Sequence, residues 1–198
     1  CRIDDAADAK KRLDALAVST GEVQHFERPV QLHDGSEGVA AFSTLSFSPR
    51  VVPAGIAFMC QHHTRDTVWL PELMTHPNDA AALAGILAAH DDPEAAAKAY
   101  ARFFAAGKTV AVAGGCQVVT GSIPVTFLTA AELSSRYAGL HVGRTPRHAF
   151  AVLQIAVRDL DATRTLLSHN TVETHATAGG FAVDPAFASG AVIEFVVA

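Results

Sequence analysis

Tryptophan occurs once in this sequence, methionine and tyrosine twice each, and cysteine three times. Cys1, Cys60 and Cys116 are odd in number and far apart, so neither a disulfide framework nor a paired-cysteine metal knuckle can be assembled, and buried thiols are expected. Positive charge is scarce too: 15 Lys and Arg stand against 20 Asp and Glu, for a formal net charge of -5. Without a basic stripe to displace counterions, neither a nucleic-acid backbone nor an acidic membrane surface is the expected partner. No apolar run approaches the ~20 residues of a spanning helix, and no basic-apolar segment opens the chain, so the cytoplasm is the expected compartment. Low-complexity stretches and charge runs are absent as well. What remains in quantity is apolar: 49% hydrophobic against 18% charged over 198 residues, enough for one large or two small cores and too much for a disordered chain.

Self-similarity sets the organisation. Ile3-Asp4-Asp5, His90-Asp91-Asp92 and Val157-Arg158-Asp159 each open a helical pattern, with Asp5, Asp92 and Asp159 as N-caps and Pro93 at a first helical position. Apolar residues then recur at helical spacing, as at Ala6, Ala9, Leu13 and Leu16. Behind each helix comes a β-rich stretch cut by turn signals. Thr109 to Ala113, Cys116 to Thr120 and Ile123 to Leu128 follow the second; Val172 to Ala178, Phe181 to Asp184 and Ala191 to Val197 follow the third. The first has Phe26 to Gln31 and Val39 to Phe47 around a longer hairpin, then Phe58 to His63. The unit is β-α-β-β-β, an α+β pattern, with unit one at 1–64, a connecting segment at 65–80, unit two at 81–135 and unit three at 148–198. A short polar join, Arg136 to Arg147, links units two and three. Cys1-Arg2-Ile3 reads as the end of a strand, so a further segment is expected ahead of it.

Cys60-Gln61-His62, followed by Thr64, Trp69, Pro71-Glu72 and His76-Pro77-Asn78, resembles the signature of glyoxalase-like proteins. The tandem unit and the ending Gly190-Ala191-Val192-Ile193-Glu194-Phe195 are similar to the vicinal oxygen chelate superfamily of glyoxalases, bleomycin-resistance proteins and extradiol dioxygenases. The resemblance implies that units pair into cup-shaped sheets, with a small-molecule ligand and a divalent metal inside. Units two and three are expected to pair with each other. Unit one then needs a partner, either an upstream unit or a second copy of the chain in a homodimer.

The same resemblance places metal ligands on a first-strand His and a last-strand Glu. Gly85 and Val152 stand at the first-strand position of units two and three, and Gln61, Thr126 and Glu194 at the last-strand position, so only Glu194 matches. A lone carboxylate is not a metal site. Within Phe58 to His63, period two puts Met59, Gln61 and His63 on one face, which the resemblance turns toward the cup, leaving His62 under the helix. His62 and His76 are the candidate catalytic residues, since neutral imidazole suits proton transfer or metal ligation near neutral pH. Met59, Gln61, His63, Trp69 and Glu194 are the candidate ligand contacts, with Trp69 open to reading as a core residue or as a flat ligand wall. Glu194 has the alternative of hydrogen-bonding within an empty cup. The remaining histidines, His25, His33, His90, His141, His148, His169 and His175, read as solvated. No nucleophile elbow, phosphate loop or dinucleotide fingerprint is present, since Gly114-Gly115 precedes a strand. Three functions follow: a metal-assisted lyase, isomerase or dioxygenase acting on an oxygen-bearing substrate, a non-enzymatic binding or sequestering protein, or a structural half supporting unit one.

Overall fold

The computed structural model describes residues 1–55, 57–142 and 149–198. The chain divides into two compact units, one formed by Cys1–Val52 with the stretch ending at Thr75, the other essentially His76–Ala198. Among the described residues no helix is long and apolar enough to cross a membrane.

The first unit carries helix α1 (Ala6–Ala15) and an antiparallel sheet in the order β1 (Gln24–Gln31), β2 (Glu37–Ser46), β3 (Phe58–His62). Asp5 starts the helix by accepting the Asp8 N–H at 2.8 Å, which satisfies an amide that has no partner inside the first turn. Pro29 lies within β1, and β1 is an edge strand, where a missing ladder donor does no harm. At the other edge Arg2 bridges Cys60 in parallel. The Cys60 N–H donates to the Cys1 carbonyl and the Ile3 N–H to the Cys60 carbonyl. Leu13 and Leu45 are fully buried and Met59 nearly so.

The second unit holds β4 (Ala80–Ala89), α2 (Pro93–Ala101), β5 (Lys108–Val112), β6 (Gly115–Val119), β7 (Val125–Leu128), α3 (Ala130–Arg136), β8 (Phe150–Val157), α4 (Leu160–His169), β9 (His175–Ala176), β10 (Gly180–Val183) and β11 (Val192–Val197). Its eight strands form one sheet in the order β5-β6-β7-β4-β8-β11-β10-β9. Two βαβββ repeats account for that order. In each repeat the last strand returns parallel to the first, β7 to β4 and β11 to β8, and the two first strands meet antiparallel at the centre. Asp92 and Asp159 cap α2 and α4 as Asp5 caps α1, accepting the Ala95 and Ala162 N–H groups at 2.9 Å. This is the α+β, βαβββ architecture of the vicinal oxygen chelate fold.

The two faces of this sheet bury different partners. Phe181, Val183 and Phe195 pack with Leu160 and Leu167 of α4. The opposite, cup face carries Leu87, Leu128, Val152 and Val192, and these pack against Leu133, Tyr137, Leu140 and Val142. Helix α3 and Leu133 fall at the end of unit two, and the start of the stretch expected to be a short polar join, Arg136 to Arg147, continues from it with Tyr137, Leu140 and Val142 packed into the same cluster. Its signal was in the sequence, because Leu133, Tyr137 and Leu140 recur at helical spacing. The rest of that join, and His148, lie outside the described residues.

Candidate functional site

In the second unit the cup is closed around Glu194. Its carboxyl accepts from the Tyr137 hydroxyl at 2.7 Å, from Gln154 Nε2 at 2.8 Å and from the Thr177 hydroxyl at 2.6 Å. Burial and the bond to Glu194 push the Tyr137 phenol well above its usual range, so it stays a donor. Gln154 reaches Glu194 because its neighbour across the seam is Gly85: a Cβ there would collide with Gln154 Oε1. The position where the resemblance calls for a histidine is thus glycine, and the space belongs to the amide of Gln154. Thr126, the counterpart of Glu194 in the other repeat, is buried and accepts from Gln117 Nε2 at 3.2 Å. Both carboxylate oxygens of Glu194 are thus engaged by residues of this chain.

In the first unit the face assignment is the reverse of the expectation. Gln61 Oε1 accepts the N–H of Ala6 at 3.0 Å, tying the Gln61 side chain to the start of α1. Met59 and Gln61 therefore lie on the helix side, with Met59 only 2% exposed, and neither reaches a ligand on the open face. The ladder explains the error. Arg2, three residues before cap Asp5, pairs with Cys60, whereas Ala156, three before cap Asp159, pairs with Val196. Phe58, not Gln61, is then the counterpart of Glu194, and the shift of three residues turns every side chain to the other face.

On the helix side His63 and His25 both approach the hydroxyl of buried Ser43, at 2.5 and 2.7 Å. His25, read from sequence as solvated, is a hydrogen-bonding partner. So are His141, whose Nδ1 and backbone N–H both lie 2.9 Å from the Asp184 carboxylate, and His90, whose Nδ1 accepts the Asp92 N–H at 3.0 Å. Backbone donors from Ala186 and His141 hold Asp184 down at about 2.

His62 occupies the open face. Its ring meets Phe42 edge-on at 5.1 Å between centroids, and Phe42 stacks on Phe26 at 5.1 Å, so the row Phe26, Phe42, His62 runs straight across the three strands. Trp69 closes the row: its indole N–H donates to His62 Nδ1 at 3.1 Å, and the Arg65 guanidinium sits 5.8 Å from the indole centroid. Threonines set this geometry. Thr64 Oγ1 accepts the Ala41 N–H at 2.9 Å, and the Thr67 hydroxyl donates to the Val39 carbonyl at 2.8 Å, pinning the crossing segment to β2. Trp69 is 44% exposed, so it is not a core residue. His76 belongs to the second compact unit and is exposed; its backbone carbonyl accepts the Asp79 N–H at 2.9 Å.

Burial, reinforced by Arg65 and Arg2, holds the His62 imidazole below its usual range, so it is neutral at neutral pH. Indole is a donor only, hence Nδ1 must carry the lone pair and Nε2 the proton. His62 thus presents a single N–H. In a pH titration followed by NMR it should protonate below the ~6.5 of free imidazole, and its neutral form should be the Nε2–H tautomer; a midpoint at or above that value would contradict the geometry. Because the unfolded chain takes up that proton first, the stability associated with His62 is present above pH ~6.5 and is lost as the pH falls below it.

A divalent metal does not fit either set of residues. Phe58 stands where a carboxylate would, His62 Nδ1 is committed to Trp69, and Glu194 is committed to three donors. Among the described residues no three His, Cys, Asp or Glu side chains converge.

A crystal structure of a hypothetical protein from Staphylococcus aureus is similar to this chain with a TM-score of 0.64 at 10% identity, over 98% of this chain and 63% of that one. The chain thus spans less than two thirds of that neighbour's length. Methylmalonyl-CoA epimerase from Mycobacterium tuberculosis is matched with a TM-score of 0.42 at 17% identity, over 60% of this chain and 88% of that one. No curated protein matches it in sequence. The sequence model of the glyoxalase-like domain matches residues 1–104, more than half of the 198. On that match, and with βαβββ repeats as its building unit, the chain belongs to the glyoxalase-like domain family.

Proposed function

We propose that this glyoxalase-like chain binds a small oxygen-bearing organic molecule on the open sheet face of its first unit, at His62 and Trp69. The observation that carries the reading is the Trp69 to His62 hydrogen bond. It leaves His62 Nε2 as one N–H donor beside an aromatic row, the combination of apolar surface and few oriented polar groups typical of ligand sites. Binding or sequestering is favoured over metal-assisted lyase, isomerase or dioxygenase chemistry, because the donor sets do not fit a metal. A proton-transfer enzyme would also need a base beside His62. Cys60 shares its face, but burial raises its thiol above the usual range, so it is protonated and a poor base.

The test is NMR mapping with a library of small oxygen-bearing aromatic fragments on the whole chain. Shifts should concentrate on the Trp69 indole N–H, His62 and the β2 amides around Phe42. Fragments that perturb only residues around Glu194, or none at all, would sink the reading.

A further inference from the structure

The register of the first unit sorts its charges by face. Period two places Gln24, Phe26, Arg28 and Val30 of β1 with Ala40, Phe42 and Thr44 of β2 and with Phe58, Cys60 and His62 of β3. Arg2 joins them through its bridge to Cys60. That face has two arginines and no carboxylate, while Glu27 and Glu37 fall on the other. Arg65 adds a third guanidinium from above the indole. Arg2, Arg28 and Arg65 form no ion pair among the described residues. A cationic, acid-free face on a chain of net charge -5 is a local field opposite in sign to the molecule's own, the pattern that concentrates an anion. Asp66 and Glu72, exposed on the crossing segment, are the acidic groups nearest in sequence to His62.

Position divides the labour among these groups. The aromatic row Phe26, Phe42, His62 has the Cys60 row on one side and the Ala40 row on the other. Arg2 is on the strand edge beside Cys60, one row from His62, and it and Arg65 are the two cations that act on the His62 ring. Arg28 is two strands away from His62, at the far side of the sheet. The donors and cations thus gather at the His62 and Trp69 end of the row, and the aromatic surface of Phe42 and Phe26 extends from it.

Resting on the site proposed above, we infer that its ligand is a flat organic anion, an aromatic carboxylate. Its ring lies on the Phe42 side of His62, and its charged oxygen faces the His62 N–H, Arg2 and Arg65, beside Trp69. The N–H donates to the oxygen, guanidinium groups neutralise it, and no metal is required.

Because Trp69 is the sole tryptophan, its fluorescence reads the site in the whole chain. Benzoate and its neutral isostere benzamide are the probes. Benzoate should bind roughly tenfold more tightly than benzamide, with a preference that shrinks as salt rises. Arg2→Gln should abolish that preference. Arg28→Gln, which removes the same charge from an exposed position farther away, should leave most of it. Equal binding of the two probes overturns the anion assignment and leaves the site itself standing. No saturable change with either probe overturns both. Sedimentation showing a dimer with Trp69 buried would give this face to a second copy and also overturn the inference.

Discussion

Glu194→Ala should cost the second unit about 3–5 kcal/mol, measured by urea unfolding followed by far-UV circular dichroism. Truncation removes an acceptor and strands three donors at once. The Tyr137 hydroxyl, the Gln154 amide and the Thr177 hydroxyl all point at this carboxyl, which is 4% exposed. A buried donor left unmatched costs about 1–3 kcal/mol; only the Tyr137 bond is fully buried, those of Gln154 and Thr177 being partly so, and the three are coupled through one group, so the losses do not add in full. Tyr137→Phe removes one donor and leaves Glu194 with two, and should cost about 1–2 kcal/mol. A loss below about 1 kcal/mol for the alanine variant would show that water already satisfies these groups and that the cup is open.

Leu133→Asp should be comparably severe, about 4 kcal/mol or more, because it places a carboxylate where nothing opposes it. Leu133 is 3% exposed and packs in the cup with Leu87, Leu128, Val152 and Val192. Leu133→Met, which keeps volume and apolarity, should cost less than about 1.5 kcal/mol. The contrast separates a seated helix from a surface one. The aspartate variant should also bind a hydrophobic dye that the methionine variant ignores. If the two variants unfold at the same urea concentration, α3 does not seal the cup.

The elements legible in the sequence were those with local causes. Asp5, Asp92 and Asp159 announce their helices because a cap and its amide lie three residues apart. Strand existence followed from apolar runs between turn signals. What stayed hidden depended on contacts distant in the chain. The face of β3 rests on the Gln61 to Ala6 hydrogen bond and the Arg2 to Cys60 bridge. Counting residues from the cap across a long hairpin cannot fix that register, and a period of two punishes any odd error by inverting both faces. So Gln61, Met59 and His63 were assigned to the ligand side and His62 to the helix side. His62 and Trp69 were each legible as a candidate, but their hydrogen bond was not, and His62 was grouped with Gln61 and His76 instead. Ser43, between two histidines, gave no signal at all, because a serine in a strand reads as solvent-facing.

The antiparallel seam between β4 and β8 has a kinetic meaning. Within each repeat, strands close over one helix and two short turns, but Ala80 finds Val157 only after the whole first repeat has been traversed. Such distant pairing incurs the largest loop-closure entropy in the sheet, so it sets the pace of assembly. Register irregularities along the seam, between Ala80 and Ala82, Leu83 and Gly85, and Leu87 and Ala88, make it harder still to zip from one end. The two repeats are therefore expected to form first as separate half-sheets, with β4 and β8 as their open edges, and weakening the seam should slow refolding more than it hastens unfolding in stopped-flow measurements. Gln154 and Thr177 belong to the same repeat as Glu194 and can meet it before the seam closes, whereas Tyr137 comes from outside that repeat, so its bond to Glu194 completes the cluster only once the two halves have joined.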